Sequence, residues 1–214
     1  ALQIAINQLK TENNFGILFI PEGKYKISKT ITIPKAIRLI GYGKQRPEFI
    51  LTENSPGFQN GEEKYMVWFT GNLVNVENQA QDANPGTFYS AISNIDFRIE
   101  DGNPAAVALR THYAQHGFVS HSVINIGNGK AGISQVGNGL ENVVFLGGDY
   151  GITTGPTSPS WPMMLVDVAF EGQKKAALQT HNSGLAIVNM HVKNVPLVLE
   201  IEKNASDRLY FENC

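Results

Sequence analysis

The sequence predicts an all-β fold, a β-solenoid with an N-terminal α-helix placed to cap it. Three observations lead to this prediction: a sequence unit that recurs six times, a Gly or Asn at the end of most units, and closely spaced short strands near the N-terminus. A repeat of about 20–50 residues is one supersecondary unit, and it buries its apolar face only by stacking on its neighbours.

The recurring unit reads as a short polar residue, an apolar residue, any residue, a second apolar residue, any residue, and then Gly or Asn. Its first apolar positions lie 19 to 28 residues apart. They are Ile95, Val123, Val143, Val168, Met190 and Leu209. Alternate residues share one face of a strand, so both apolar positions should point into the core. The residues predicted to stack there are Val143, Phe145, Val168, Phe170, Met190 and Val192.

Five of the six units end in Gly or Asn, the residue types that tolerate a left-handed backbone. These residues are Gly127, Gly147, Gly172, Asn194 and Asn213. We predict that they form one recurring corner and that several have a positive φ. The leading polar residues should stack along the same axis and form hydrogen bonds from coil to coil. They are Asn94, Ser122, Asn142, Asp167 and Asn189.

Residues 1–15 are predicted to form the capping helix. Leu2, Ala5, Ile6 and Leu9 lie on one face of such a helix, and an amphipathic helix at this place can close the open end of a solenoid. Residues 16–214 are predicted to form the coils, with 1–214 as a single domain. Since the chain has no initiator Met and stops inside a unit, we expect the natural protein to be longer.

Four strands are predicted next, at Ile17–Ile20, Tyr25–Ser28, Thr30–Pro34 and Ile37–Gly41. This spacing is typical of three short strands per coil around a triangular core. Two long polar excursions follow, at residues 52–64 and 72–90. Loops of that length on a rigid scaffold often carry function or partner contacts.

Composition excludes several classes of function. The chain of 214 residues has 42% hydrophobic and 17% charged residues, a net charge of −2 and a pI near 6.2. This balance argues against binding to nucleic acid or to an anionic membrane surface. No apolar run reaches the ~18 residues of a membrane span. The single Cys214 has no partner for an internal disulfide.

A second set of strands ends in polar residues that should recur on one outer face of consecutive coils. Side chains that donate and accept hydrogen bonds suit an oligosaccharide, so we predict that these residues bind substrate. They are Arg110, Gln135, Thr154, Thr180 (or its neighbour Gln179) and His181. The alternative is that exposed strand positions are simply polar. Trp161, in an inserted loop, either stacks on a sugar or folds back over an apolar patch.

The N-terminal region resembles the pectate-lyase-like superfamily of right-handed, single-stranded parallel β-helices. The resemblance lies in Gly16-Ile-Leu-Phe-Ile-Pro-Glu-Gly-Lys-Tyr-Lys-Ile-Ser28, in Leu39-Ile40-Gly41-Tyr42-Gly43 and in Pro47-Glu48-Phe49-Ile50-Leu51. Within that superfamily, the stretch from Phe88-Tyr89-Ser90-Ala91-Ile92-Ser93-Asn94-Ile95 to Val195 is most similar to the first β-helix of the exo-β-1,3-glucanase (laminarinase) family.

This resemblance implies a secreted or cell-surface glycoside hydrolase that acts on β-glucan, with no cofactor. It also implies a second β-helix in the same chain, which would carry the catalytic acid. The polar groups that position the attacking water would be Gln115 and Asn138, and Asn138 stands where the family carries a small hydroxyl residue.

Two other functions stay open on the residues alone. One is a non-catalytic β-helix that binds polysaccharide, such as a phage tail-spike or surface adhesin, and the other is a polysaccharide lyase. Calcium-dependent lyases need clustered carboxylates, whereas Asp96, Glu141, Asp149, Asp167 and Glu171 are scattered, mostly one per coil. The five histidines do not form a recognisable metal-binding motif, so no metal site is predicted.

Overall fold

The computed structural model describes residues 1–83, 86–157 and 162–214. The chain begins with helix α1, Leu2–Asn13, and continues in short strands. The first nine strands are β1 (Gly16–Pro21), β2 (Lys24–Ile27), β3 (Ile31–Pro34), β4 (Ile37–Tyr42), β5 (Glu48–Leu51), β6 (Lys64–Thr70), β7 (Ala91–Ser93), β8 (Asp96–Ile99) and β9 (Ala106–Arg110). The others are β10 (Phe118–Gly127), β11 (Ala131–Ser134), β12 (Gly139–Gly147), β13 (Tyr150–Thr154), β14 (Met163–Glu171), β15 (Ala176–Thr180), β16 (Gly184–Lys193), β17 (Leu197–Ile201) and β18 (Arg208–Glu212).

The strands form two parallel sheets that wind around one core. Sheet A has eleven strands, with the main order β1-β4-β7-β10-β12-β14-β16-β18 and with β2, β5 and β8 paired alongside. Sheet B has seven strands in the order β17-β15-β13-β11-β9-β6-β3. Each coil passes through sheet A and then sheet B, which gives a parallel β-solenoid of about eight turns. The predicted β-helix with an N-terminal helix is confirmed.

Sheet A folds into two faces at a column of left-handed residues, so the cross-section has three sides. The long strands β10, β12, β14 and β16 bend near their middle. The bending residue is left out of the strand pairing, and the residues before and after it pair in register with the neighbouring strands. The bending residues, all with φ between 52° and 59°, are Asn94, His121, Asn142, Asp167 and Asn189. Short polar residues accept this conformation at low cost. Along the column, Asn189 Nδ2 donates to Asp167 Oδ1 at 2.9 Å.

The predicted core columns are confirmed. Phe145 pairs in register with Phe170 and then with Val192, and Val143 pairs with Val168 and then with Met190. Five of these side chains are buried, and Val192 is partly buried against the same core. The Phe145 and Phe170 rings stack with centroids 4.8 Å apart and an interplanar angle of 7°.

The corner predicted at the end of each unit, which we call the second corner, is confirmed for four of its five residues. Gly127, Gly147, Gly172 and Asn194 have φ between 56° and 77° and follow the last core position of their coils. Asn213 has a positive φ as well, but it belongs to the other corner. Strand β18 pairs with the first half of β16, with Ile187 opposite Phe211, so Asn213 continues the register to Asn189.

One further unit was aligned wrongly by a single residue. Ser122, not Val123, pairs with Val143, and therefore His121 occupies the left-handed position assigned to Ser122. The reason is a register shift between Asn125 and Gly127, where the strand gains one residue relative to its neighbour. Ser122 is buried and donates its hydroxyl to the carbonyl of Ser120 at 3.2 Å.

Helix α1 covers the core at the N-terminal end of the solenoid. Ile6 is fully buried, and Leu2 and Leu9 pack against the same cluster. The side chain of Gln3 accepts a hydrogen bond from the Thr32 amide at 2.8 Å and donates to the Thr32 carbonyl at 2.9 Å. The helix ends at Asn13 because Asn14 adopts a left-handed conformation, with a φ of 63°.

No helix in the described ranges has both the length and the apolar character needed to cross a membrane.

Candidate functional site

Two loop carboxylates reach the outer face of sheet B, and Asp82 is the first of them. Arg110 pairs in register with Trp68 on the neighbouring strand, so the two side chains lie side by side. Both Asp82 oxygens accept hydrogen bonds from Arg110, from Nε and from Nη2, at 2.6 Å each. Trp68 Nε1 also donates to Asp82 at 2.9 Å, and His112 Nδ1 lies 3.2 Å from Oδ2. The loop before β7 is thus fixed to the sheet.

Glu63, the second carboxylate, is held on the other side of Arg110. Its Oε1 accepts hydrogen bonds from the Tyr65 hydroxyl at 2.7 Å and from Ser134 Oγ at 3.0 Å. Its Oε2 lies 3.2 Å from Lys130 Nζ. The Arg110 guanidinium donates to the Tyr65 hydroxyl at 3.0 Å and lies 5.0 Å from the centre of that ring. We call the whole set the Arg110 cluster: Glu63, Tyr65, Trp68, Asp82, Arg110, His112 and Ser134.

The cluster holds both carboxylates in the ionised form. Burial alone would raise the pKa of Asp82, but hydrogen bonds from Arg110 and His112 and the guanidinium charge hold that pKa well below its usual range. Burial opposes ionisation of Glu63 too, yet the Tyr65 hydrogen bond and the Lys130 charge lower its pKa. Burial and the bond to Glu63 raise the pKa of Tyr65, which therefore stays a neutral donor.

A polar groove of about 350 Å³ runs along sheet B beside the cluster. Outward-facing residues of successive coils pair with one another along the groove, Ser134 with Thr153 and Thr153 with Gln179. We call it the sheet B groove, and its lining residues are Glu63, Lys130, Ser134, Gln135, Thr153, Thr154, Gly155, Pro156, Gln179, His181 and Glu202. Parallel strands place such rungs about 4.8 Å apart, so the groove presents a repeating row of donors and acceptors.

The structure brings together four of the residues predicted to bind substrate. Gln135 and His181 line the sheet B groove, Arg110 stands in the cluster beside it, and Thr154 borders the groove with a side chain that is buried. Nδ1 of His181 lies 3.1 Å from Oε2 of Glu202, close but without the alignment of a hydrogen bond. Trp161 lies outside the described residues.

The prediction that Thr154 and Thr180 lie on the outer face is wrong. The two residues pair with each other and are 5% and 0% exposed. Thr180 Oγ1 donates to Asp207 Oδ2 at 2.7 Å, which ties two coils together. Their neighbours Thr153 and Gln179 occupy the outward column instead, because side chains alternate between the two faces of a strand.

Gln115 and Asn138 do not line the sheet B groove. The Gln115 carbonyl accepts a hydrogen bond from the Tyr89 amide at 3.3 Å. Asn138 Nδ2 donates to the Gly117 carbonyl at 3.2 Å, and its own carbonyl accepts from the Met164 amide at 2.9 Å. Both residues lie in the connections between sheet B and sheet A, where they hold successive loops together.

Sequence reasoning missed Glu63, Asp82, Ser134 and Glu202. The only signal for the first two was the length of the excursions that contain them, which marked those loops as functional without selecting a residue. Within the described ranges, no three His, Cys, Asp or Glu side chains converge to hold a metal ion.

Comparison with known proteins agrees with this architecture. Residues 1–198 match the family described as rhamnogalacturonase A/epimerase, pectate lyase-like. The chain belongs to this family. In this pectate lyase-like protein, the sheet B groove lies on the outer surface of the β-helix, beside the long connections that carry Glu63 and Asp82.

Comparisons with curated proteins and with solved structures add nothing to this family assignment. The pectate lyase-like chain matches no curated protein. Among solved structures it is similar to Pantoea stewartii WceF, described as a glycan biofilm modifying enzyme with a bacteriophage tailspike-like parallel β-helix fold, with a TM-score of 0.34 and 11% identity. The alignment covers 94% of this chain and 35% of WceF, so the chain spans about a third of the length of that protein.

Proposed function

We propose that this chain is the glycan-binding β-helix of a carbohydrate-active protein and that the sheet B groove is its binding surface. The observation that carries the proposal is the groove itself, in which five coils contribute hydrogen-bonding side chains to one continuous surface. Membership of a pectate lyase-like family supports the same class of ligand.

The chemistry of the groove suits a polymer of sugars. Each sugar hydroxyl both donates and accepts, and the amide of Gln135 and the hydroxyl of Thr153 can do the same, while Gln179 offers its amide oxygen as an acceptor because its nitrogen donates to Tyr150 and Glu200. Gln179 Nε2 already donates to the Tyr150 hydroxyl at 3.2 Å, which orients the amide. The Arg110 cluster fixes one end of the groove, and a site held rigid in advance loses less entropy on binding.

The geometry supports binding by these residues more than proton transfer. Both oxygens of Glu63 are engaged, by Tyr65 and Ser134 on one side and by Lys130 on the other. A carboxylate so held is a poor proton donor, because its lowered pKa keeps it ionised. If the full-length protein cleaves glycans, a group other than Glu63 donates the proton.

A finer proposal follows from the resemblance to exo-β-1,3-glucanases. In that proposal the full-length protein is a secreted or cell-surface hydrolase of β-glucan, and a second β-helix supplies the general acid. Gln115 and Asn138 would then help to place the attacking water. Replacing Gln115 by Ala in the full-length protein should lower kcat with little change in KM, since water placement matters mainly in the transition state.

Calorimetric titration with neutral oligosaccharides, laminarin-derived β-glucan fragments first, tests the binding proposal. Gln179→Ala and Gln135→Ala should each weaken binding about fivefold to tenfold, the loss expected for one or two hydrogen bonds. Gln8→Ala, which changes an exposed amide on α1, is the matched control and should bind as the wild type does. Equal affinity of the wild type and both groove variants for every glycan that binds would remove the groove from glycan binding.

A further inference from the structure

The part of sheet A that precedes the left-handed column forms one side of the solenoid, and most of its outward side chains are apolar. Its strands are β1, β4, β7, the first halves of β10, β12, β14 and β16, and β18. In each strand the two outward residues flank a core residue, such as the buried Leu39, Val119 or Leu165. The outward residues pair in register from strand to strand and form two columns, which together we call the apolar face. The first column is Ile17, Arg38, Ala91, Phe118, Gly139, Met164, Ala186 and Tyr210, and the second is Phe19, Ile40, Ser93, Ser120, Glu141, Val166, Val188 and Glu212.

Several large side chains of the apolar face are open to solvent. Tyr210 is 57% exposed, Ile17 47% and Met164 45%. Seven strand spacings and five residues of strand make the face roughly 34 Å long and roughly 16 Å wide. Soluble monomers rarely expose an apolar patch larger than a few hundred Å², so a largely apolar surface on the order of 500 Å² indicates an interaction surface.

The column along the sheet B groove provides a contrast within the same coils. It runs from Arg110 through Ser134, Thr153 and Gln179 to Glu200, and every residue in it is polar. Parallel sheets are usually buried on both sides, which makes outward apolar residues common in them. The side chains of the apolar face are therefore typical of a covered sheet, whereas those along the groove are typical of a surface in water.

The charges of the apolar face are few, and they differ between its two ends. Arg38 lies on β4, the second strand of the face, and Glu212 lies on β18, roughly 29 Å away. Glu141 is the third charged residue, near the middle, and Arg208 on β18 lies outside the two columns. Arg38, Glu141 and Glu212 form no ion pair with any described residue. Within the two columns, one end thus carries an unpaired positive charge and the other an unpaired negative charge.

We propose that the apolar face is a self-association surface, on which a second copy of this chain packs with its solenoid axis antiparallel to that of the first. A face that packs on itself has twofold symmetry, so each residue pair occurs twice. In the antiparallel arrangement, Arg38 of each copy approaches the end of the other copy that carries Glu212. In the parallel arrangement, Arg38 would face Arg38 and Glu212 would face Glu212, and like charges across an interface are unfavourable. The charges therefore favour the antiparallel pair.

This inference does not depend on glycan binding. The sheet B groove lies on another of the three sides of the solenoid, so the pairing leaves it open. The apolar face is smaller than the usual interface of about 800 Å² per partner. We therefore expect a reversible dimer with a Kd on the order of 10 µM.

Sedimentation velocity of the full-length protein, over a range of concentrations around this Kd, tests the inference. A reducing buffer excludes a disulfide between exposed Cys214 residues. Met164→Lys should weaken dimerisation at least about tenfold, because it places an unpaired charge within the interface. The matched control is Val76→Lys, which puts the same charge at a fully exposed apolar residue of the loop before β7. It should leave the Kd unchanged.

Charge reversal tests the antiparallel arrangement. Arg38→Glu and Glu212→Arg should each weaken the dimer about fivefold to tenfold, since each brings like charges together. The double variant exchanges the two charges and should restore the Kd to within about threefold of the wild-type value. Circular dichroism and urea unfolding establish that each variant is folded. A double variant as weak as the single ones would reject the antiparallel pair.

Four other results would overturn the inference. A full-length protein that stays monomeric at about 0.5 mM, well above the expected Kd, excludes self-association. A trimer, or a dimer that Met164→Lys leaves unchanged, places the contact elsewhere. A monomer that Met164→Lys destabilises shows that another part of the same chain covers the face. Gln179→Ala should not affect the Kd of the dimer, so failure of glycan binding in a protein that still dimerises would reject the proposed function and keep the self-association surface.

Discussion

Arg110 and Asp82 are joined by two hydrogen bonds of 2.6 Å each, across 28 residues of sequence. The pair connects the end of β9 to a loop whose described residues form no strand. Such a two-pronged contact fixes both distance and angle, which a single bond does not. One end of the sheet B groove therefore depends on a carboxylate from a remote loop.

Replacing Asp82 by Asn should destabilise the protein by about 1–3 kcal/mol, the range for a partly buried hydrogen bond to a charged group. The amide cannot accept both Arg110 bonds, and the guanidinium loses the nearer of its two carboxylate partners, with Glu63 remaining 3.7 Å away. The free energy of unfolding from urea denaturation measures the effect. Glu53→Gln, at an exposed position, is the control and should change that free energy by less than about 0.5 kcal/mol. If Asp82→Asn also changed the free energy of unfolding by less than about 0.5 kcal/mol, the Arg110–Asp82 pair would make no measurable contribution to stability.

The contribution of Asp82 should depend on pH. Its pKa is lowered in the folded protein, so the stabilisation is fully present above the unfolded value of about 3.9 and is lost as pH falls through the lower folded value. The difference in unfolding free energy between wild type and Asp82→Asn should be constant from pH 7 to 5 and should shrink below about pH 4. A difference that grows on acidification would contradict this sign.

Phe145→Ala should cost about 3–5 kcal/mol, the usual range for a large aromatic side chain removed from a core. Phe145 is fully buried and stacks on Phe170 of the next coil, so its loss leaves a cavity between two coils. Thermal or chemical unfolding measures the cost. Phe19→Ala, at a ring that is 59% exposed, is the matched control and should cost far less. Equal costs would mean that the inward column is assigned wrongly.

The second corner allows a test of backbone conformation alone. A Cβ at Gly172 would meet no atom within 4 Å, so a substitution there is opposed by its φ of 77° and by little else. Gly172→Val should destabilise by about 1–2 kcal/mol, and Gly172→Asn by clearly less, because Asn tolerates a left-handed backbone. Asn194 already fills the equivalent place one coil later. Unfolding free energies that rank the two variants in the opposite order would reject this explanation.

The fold was predictable from sequence because its determinants are local. Alternating apolar residues specify which side of a strand is inside, and Gly or Asn marks a corner within the same few residues. Asn213 was assigned to the wrong corner because β18 pairs with the first half of β16, and a second error arose where one residue was added. The shift between Asn125 and Gly127 moved Ser122 into the core position, and no local pattern distinguishes such a bulge from a regular strand.

The candidate site was only partly predictable, for the same physical reason. Arg110, Gln135 and His181 lie at strand ends, whose place follows from the repeat, and they do meet at the sheet B groove and its cluster. Thr180 was predicted to face outward, with its neighbour Gln179 as the alternative. Gln179 faces outward and Thr180 is buried. Side-chain direction reverses at every residue of a strand, so a small error in register inverts the assignment.

By itself, the sequence determined the solenoid, its helix at the N-terminal end and the residues that stack in its core, because successive coils repeat the same pattern of apolar and corner residues. The tertiary structure decided which groups face one another across the surface. Glu63 meets Ser134 across 71 residues of sequence, and Asp82 meets Arg110 across 28. Contacts of this kind depend on how irregular loops close over the sheets, and a loop without periodicity carries no pattern from which its partner can be read.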